Sequence, residues 1–142
     1  MRALKRQETR FETAPLRSFY QGKRVLVTGA AGSVGSALCL QLAELGCAQL
    51  AMLDQFDHGL LEILEQVHRA NPRLDALDAL CDVRDRERLQ AWMNQIAPDV
   101  VIHAAALKHV HLGERHPVEC VLTNLVGVRN TLAAAAAAGA RD

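Results

Sequence analysis

The run Gly29-Ala-Ala-Gly32-Ser-Val-Gly35 carries three glycines at the spacing with which a backbone can wrap a diphosphate. Gly29 permits a tight turn, Gly32 lets the backbone approach an anion, and Gly35 lets the following helix pack close to its sheet. A helix opening at Ser33 and Val34 presents unpaired N–H groups and the positive end of its dipole, which together favour a phosphate. The loop is preceded by the β-branched run Arg24–Thr28 and followed by apolar residues at helical spacing. A plain glycine turn would not need that order.

Two acids stand where a dinucleotide needs acceptors. Asp54 ends the apolar run Gln49–Asp54, roughly 20 residues past the glycine loop, where a carboxylate accepts hydrogen bonds from the adenosine ribose. No arginine follows closely to receive a 2′-phosphate, so NAD is expected over NADP. Asp82 and Val83 follow the third apolar run, where such a pair meets the adenine, the acid at its amino group and the valine against its face. Each acid also has a plainer reading, Asp54 as a solvated strand end and Asp82 as a cap of the next turn.

The third constellation is His103-Ala-Ala-Ala-Leu-Lys-His-Val110. Small residues at Ala104, Ala105 and Ala106 allow a cofactor to lie against the end of a strand. Lys108 then stands at the crevice where an open α/β sheet binds its ligands, able to pair with a diphosphate or a ribose hydroxyl, or simply to face solvent. His109, His111 and His116 lack a carboxylate partner at ligating spacing, so no metal is expected. At most, His109 touches substrate.

These residues need a sheet to position them. Strands are expected at 24–28, 49–54, 76–81 and 100–104, and helices at 33–46, 59–70, 86–96 and 117–138, with Pro117 in a favourable first-turn position. The helix at 33–46 should bury Val34, Leu38, Leu42 and Leu45, and that at 59–70 should bury Leu60, Ile63, Leu64 and Val67. Alternating strands and helices of these lengths make parallel βαβ units. The expected fold is an α/β Rossmann-type parallel sheet with helices on both faces, strand order 3-2-1-4, truncated after about four strands. Residues 1–22 read as an irregular polar arm or linker and 23–142 as the dinucleotide-binding domain. The outer edge of strand four is expected to be open, which makes a fragment of a longer protein, and a homo-oligomer, the natural expectations.

Composition excludes other classes. The 142 residues carry no formal net charge at neutral pH, so nothing suggests nucleic-acid binding. The four cysteines are scattered without a CxxC pair, which fits small core residues in a reducing cytosol better than zinc or redox chemistry. The basic start MRALKRQETR is not followed by an apolar run, and the longest apolar stretch, 132–140, is too short to span a membrane. No membrane segment is expected in this chain.

Three stretches together resemble the extended short-chain dehydrogenase/reductase superfamily: GKRVLVTGAAGSVGS, CDVRD, and HAAALKHV with the later TNLVGVRN. ALKHV with the following Pro117-Val118-Glu119, and LDQFDHGLLEI after strand two, are more narrowly similar to its polysaccharide-biosynthesis branch, the UDP-N-acetylglucosamine 4,6-dehydratases. The resemblance covers residues 22–142. It implies that Gly29, Gly32, Ser33, Val34 and Gly35 hold the pyrophosphate, Asp54 the ribose, and Asp82 with Val83 the adenine. Ala104, Ala105, Ala106, Lys108 and Asn124 would line the nicotinamide side. His111, Gly113 and His116 depart from the branch, which usually has proline, a larger apolar residue and asparagine there, and these departures bear on the substrate-side loop.

The reaction implied by the resemblance removes hydride from C4 of a nucleotide sugar, loses water across C5 and C6, and returns the hydride to C6. The branch draws its catalytic acids and bases from a Thr-Asp-Lys segment and a Tyr- or Met-x-x-x-Lys segment on a fifth strand and the helix after it, neither of which follows strand four here, so no catalytic residue is assigned. The chain alone should bind dinucleotide without turning over a nucleotide-sugar substrate. Another nucleotide-sugar epimerase or reductase, or a non-catalytic NAD-sensing module, would carry the same cofactor residues. A cytoplasmic location is expected, including the cytoplasmic part of a membrane-anchored parent.

Overall fold

Alternate burial along β1 (Arg24–Thr28) sets the architecture. Val25 and Val27 pack into one apolar layer and Leu26 into another, all fully buried. A strand with two dry faces belongs at the centre of a sheet covered on both sides. The computed structural model describes residues 13–142 and bears this out. β1 pairs in parallel with β2 (Gln49–Asp54) and β4 (Val100–His103), and β2 pairs with β3 (Asp75–Leu80), giving the order β3-β2-β1-β4.

Helices α2 (Ser33–Leu45) and α3 (Asp57–Ala70) cover one face, burying Leu42, Ile63 and Val67 against Val25, Val27, Leu50 and Met52. On the other face, α4 (Arg86–Ile96) and α7 (Val128–Ala137) bury Leu89, Met93 and Ala134 against Leu26, Ala51 and Leu53. Each fully buried Leu, Ile or Met side chain contributes about 2 kcal/mol of transfer free energy, so these two layers hold the sheet. Helix ends follow local chemistry. Asp85 caps α4 by accepting from the Arg88 N–H at 3.1 Å, and Gly46 closes α2 in the left-handed conformation at φ 83°.

Several expectations need correction. The buried stripe of α2 is Gly35, Cys39, Leu42 and Ala43, with Val34 64% exposed. The helix lies so close to the sheet that small residues face inward. Residues 1–12 of the expected arm lie outside the described residues, and its remainder is not irregular: α1 spans Thr13–Tyr20, and Tyr20 packs against the first core layer. The stretch after β4 was expected to be a loop up to residue 116, yet it contains a six-residue helix, α5 (Val110–Arg115).

The last helix is continuous but not uniform. It runs from α6 (Pro117–Val121) through a π-helical segment, Leu122–Gly127, into α7. By length and composition, Pro117–Ala137 is long and apolar enough to cross a membrane, which the apolar stretch at 132–140 alone is not. Its inner face nevertheless buries Asn130 and Thr131 with their hydrogen bonds made, as a helix of the sheet's outer layer does. After Gly139, at φ 81°, the chain turns back. Arg141 donates to the Asp99 carbonyl at 3.1 Å and the Val101 N–H to that of Asp142 at 2.9 Å. The start of β4's outer edge is therefore paired, where an open edge was expected.

The expected cysteine environment is met. Cys39, Cys47 and Cys81 are buried, Cys120 is partly so, and all four are free thiols. Burial pushes the Cys39 thiol up to about 12, which leaves it inert near neutral pH.

Candidate functional site

The glycine loop sits at the carboxyl end of β1, and its shape is imposed by contacts. Gly29 has φ 68°, and a Cβ there would stand 2.5 Å from the Ala105 nitrogen and 2.7 Å from the Ala104 carbonyl carbon. Any side chain would push β1 and the segment after β4 apart. A Cβ on Gly35 would overlap the Gly29 carbonyl oxygen. Gly35 thus brings α2 against the loop itself, closer than the expected helix-to-sheet role requires. Gly32 donates its N–H to the Gly29 carbonyl at 3.0 Å and caps α2 without any side-chain hydrogen bond. The first turn of α2 therefore offers its N–H groups outward. Ser33 and Val34 are exposed on that turn, and Gly35 is buried beneath it.

Asp54 ties this loop to the second strand. Its Oδ2 accepts from the Ala31 N–H at 2.9 Å and its Oδ1 from the Phe56 N–H at 3.0 Å. Each oxygen keeps further acceptor capacity, so the carboxylate is oriented rather than exhausted. The Phe56 ring lies over Gly59, where a Cβ would come within 2.6 Å of its Cδ1. That glycine leaves room for an aromatic wall beside the acid.

The second acid is also oriented. Asp82 accepts the Arg84 N–H on Oδ1 at 2.9 Å and the Arg84 Nε–H on Oδ2 at 2.7 Å. Burial pulls its pKa upward, but the Arg84 guanidinium and N–H outweigh this and hold it below the usual carboxylate range. Arg84 reaches on to the Glu119 carboxylate on α6. Val83 is 5% exposed and packs under Gly127, and the Asn130 carboxamide donates to both the Val83 and Arg84 carbonyls at 3.1 Å. Asp82 thus caps the turn that leads into α4, as its plainer reading expected, and Asp85 caps α4 itself.

At the end of β4, Ala104, Ala105 and Ala106 line the opening. The Asn124 side chain clips the Leu107 backbone, accepting its N–H at 2.8 Å and donating to its carbonyl at 3.0 Å. Lys108 and His109 are exposed beyond this clip, and the His109 and His111 rings stand 5.8 Å apart. Among the described residues, no cluster of three or more His, Cys, Asp or Glu side chains has the arrangement to hold a metal ion. His103 lies beneath, its Nδ1 2.8 Å from the Thr28 hydroxyl and its Nε2 buried without a partner among the described residues. Burial lowers its pKa below the ordinary imidazole value.

These segments enclose a cleft of about 250 Å3 across the carboxyl ends of the strands. It brings together Gly29, Gly32, Asp54, Asp82, Val83 and Ala104–Ala106. Ser33, Val34, Gly35, Lys108, His109 and Asn124 border or support it without lining it. Sequence reasoning missed Ala31, Phe56, Leu107 and Thr123 on its walls, and the strut from Arg84 to Glu119. All of them lie within stretches that carry the resemblance, but their types gave no reason to single them out. Chemically, the cleft offers outward N–H groups for an anion, two oriented carboxylates as acceptors, and an apolar floor.

The profile of the family described as "Polysaccharide biosynthesis protein" matches residues 25–142. A probable polysaccharide biosynthesis protein, EpsC, of Bacillus subtilis is 34% identical over 137 residues, covering 96% of this chain and 23% of that protein. A UDP-N-acetylglucosamine 4,6-dehydratase (inverting) of Campylobacter jejuni is 35% identical over 119 residues, 80% of this chain and 32% of that protein. Among solved structures, a UDP-glucose-4-epimerase from Stenotrophomonas maltophila, with bound NAD and formylated UDP-arabinopyranose, superposes with a TM-score of 0.75. It is 32% identical over 84% of this chain and 35% of that one. The chain thus spans roughly a quarter to a third of the length of these relatives.

Proposed function

The chain belongs to the polysaccharide biosynthesis protein family of the extended short-chain dehydrogenases/reductases, and on that premise we propose that it is the NAD-binding part of a nucleotide-sugar 4,6-dehydratase. The substrate in the whole protein is a UDP-N-acetylglucosamine-like sugar nucleotide, and the setting is surface-glycan biosynthesis in the cytoplasm. One observation carries the cofactor reading. The Gly29 turn meets Ala104 and Ala105 so closely that no side chain fits, leaving a backbone-walled cleft at the mouth of α2. A dinucleotide needs such a cradle.

The residues fit the group by their chemistry. Gly29, Gly32 and the first turn of α2, with Ser33 and Val34, would hold the diphosphate. Asp54 would accept from the adenosine ribose, and its negative charge disfavours a 2′-phosphate. Asp82 would accept from the adenine amino group while Val83 meets the ring. Ala104, Ala105 and Ala106 keep the nicotinamide end open, Asn124 holds that wall through Leu107, and Lys108 supplies a cation at its rim. When bound, the nicotinamide would supply reversible hydride transfer with a sugar carbon. The acids and bases of the reaction would come from the Thr-Asp-Lys and Tyr- or Met-x-x-x-Lys segments of the whole protein, while Asp54 and Asp82 serve the cofactor.

A nucleotide-sugar 4-epimerase is the second reading, favoured by the likeness to the Stenotrophomonas epimerase. A chimera separates the two at the substrate-side loop. Residues 23–142 replace the corresponding part of the Campylobacter dehydratase, and 4-keto sugar formation from UDP-N-acetylglucosamine is measured. Product from this chimera, but not from one carrying the corresponding part of the Stenotrophomonas epimerase, supports the dehydratase reading. A folded, NAD-binding chimera without product, restored only by the dehydratase's own residues at 109–116, counts against it.

A further inference from the structure

The loop after β3 is held from an unexpected direction. Arg84 uses one side of its guanidinium on Asp82 and the other on Glu119, 35 residues further along the chain. Asp82 lines the cleft, while Glu119 lies on α6, which follows the exposed segment Lys108–His116. A planar guanidinium bound at both ends fixes distance and direction between its partners, as a flexible ammonium would not.

Asp82 needs that control. Its Oδ1 is set by the Arg84 backbone N–H, but its Oδ2 is set by the Arg84 side chain. With Arg84 in place, Oδ2 is taken up by Nε at 2.7 Å and Nη2 at 2.6 Å, while Oδ1 retains a lone pair for a donor in the cleft. Were the guanidinium free to swing, the carboxylate could rotate with it. Glu119 holds the opposite edge of that guanidinium.

We propose that Arg84 is a positioning residue for nucleobase recognition, aiming the Asp82 carboxylate at the exocyclic amine of the base and taking its own orientation from Glu119. This rests on the dinucleotide reading of the cleft. The three side chains are a quarter to a half exposed, at 27% for Asp82, 33% for Arg84 and 52% for Glu119. Partly exposed charge pairs have modest strength, so the effect on affinity is severalfold, while the effect on selectivity for the amine is diagnostic.

The test uses the 142-residue chain with two ligands, NAD+ and its hypoxanthine analogue, which carries a carbonyl in place of the amine. Calorimetry gives the ratio of their dissociation constants for the wild type, Arg84→Gln, Glu119→Gln and the double variant, with circular dichroism checking the fold. The wild type should prefer the adenine ligand by about tenfold, and Arg84→Gln should bring the ratio to about one. Glu119→Gln, which leaves the Arg84–Asp82 contact in place and keeps the test alive should Arg84→Gln fail to fold, should lower the ratio by about threefold. The double variant should match Arg84→Gln. An unchanged ratio in Arg84→Gln or Glu119→Gln, or losses that multiply in the double variant, overturns the strut. A wild type that binds neither ligand overturns the dinucleotide reading, and the strut with it.

Discussion

The Asn124 side chain clamps both backbone groups of Leu107, its Oδ1 accepting the N–H at 2.8 Å and its Nδ2 donating to the carbonyl at 3.0 Å. A carboxamide is the smallest side chain able to make this two-point match with a peptide unit. It joins the π-helical segment to the wall formed by Ala104–Leu107 without entering the cleft.

Asn124→Asp keeps the shape and removes the donor, setting a carboxylate against the Leu107 carbonyl. We expect a loss of about 1–2 kcal/mol in unfolding free energy by urea titration and weaker NAD+ binding, since the wall loses its clip. Unchanged stability and affinity would mean the clamp is incidental.

The two inner glycines of the loop should behave differently. Gly35→Ala forces a Cβ onto the Gly29 carbonyl oxygen and should cost about 1–3 kcal/mol of stability. At Gly32 the new Cβ would sit 3.2 Å from that oxygen, so Gly32→Ala should fold nearly normally yet bind NAD+ worse. Thermal melts and calorimetry on both variants separate the effects, and equal stability losses would contradict the distinction.

Stability should fall as the pH drops, in two stages. Burial lowers the His103 pKa from its ordinary 6.5, so the unfolded chain takes up a proton there before the folded one does. Its contribution is complete above about 6.5 and is lost as the pH falls below that value. Asp82, which burial alone would raise but Arg84 lowers, and Asp99, lowered by Arg24, sit below the ordinary 3.8. They contribute above about 3.8 and lose that contribution in stronger acid. Urea titrations across this range, with His103→Asn as the comparison, should show the first stage flattened in the variant. An identical slope would remove His103 from the explanation.

What the sequence made legible was whatever repeats locally. The four strands, the loop glycines and the acids at strand ends all follow from short-range pattern, and β1 and β2 appear within their expected bounds. The face of α2 did not, because Gly35 presses that helix onto Gly29 and turns Cys39 and Ala43 inward in place of the larger Val34 and Leu38. α5 escaped because six residues containing Gly113 carry no helical period. Contacts such as Arg84 with Glu119 or Asn130 with Val83 join residues 35 and 47 apart, and no local spacing announces them.

The 142-residue chain, given NAD+ and UDP-N-acetylglucosamine, should form no 4-keto sugar, because neither a Thr-Asp-Lys nor a Tyr- or Met-x-x-x-Lys segment follows residue 104 in it. Chromatography of the sugar nucleotide after long incubation checks this. Any turnover would contradict the assignment of the catalytic groups to the rest of the whole protein.

The most direct measurement is a calorimetric titration of the chain with NAD+ and, separately, with NADP+. Saturable binding of NAD+, with NADP+ at least tenfold weaker because its 2′-phosphate meets the Asp54 carboxylate, is the expected result. Binding of neither, or equal binding of both, would contradict an NAD site built on the glycine loop and Asp54.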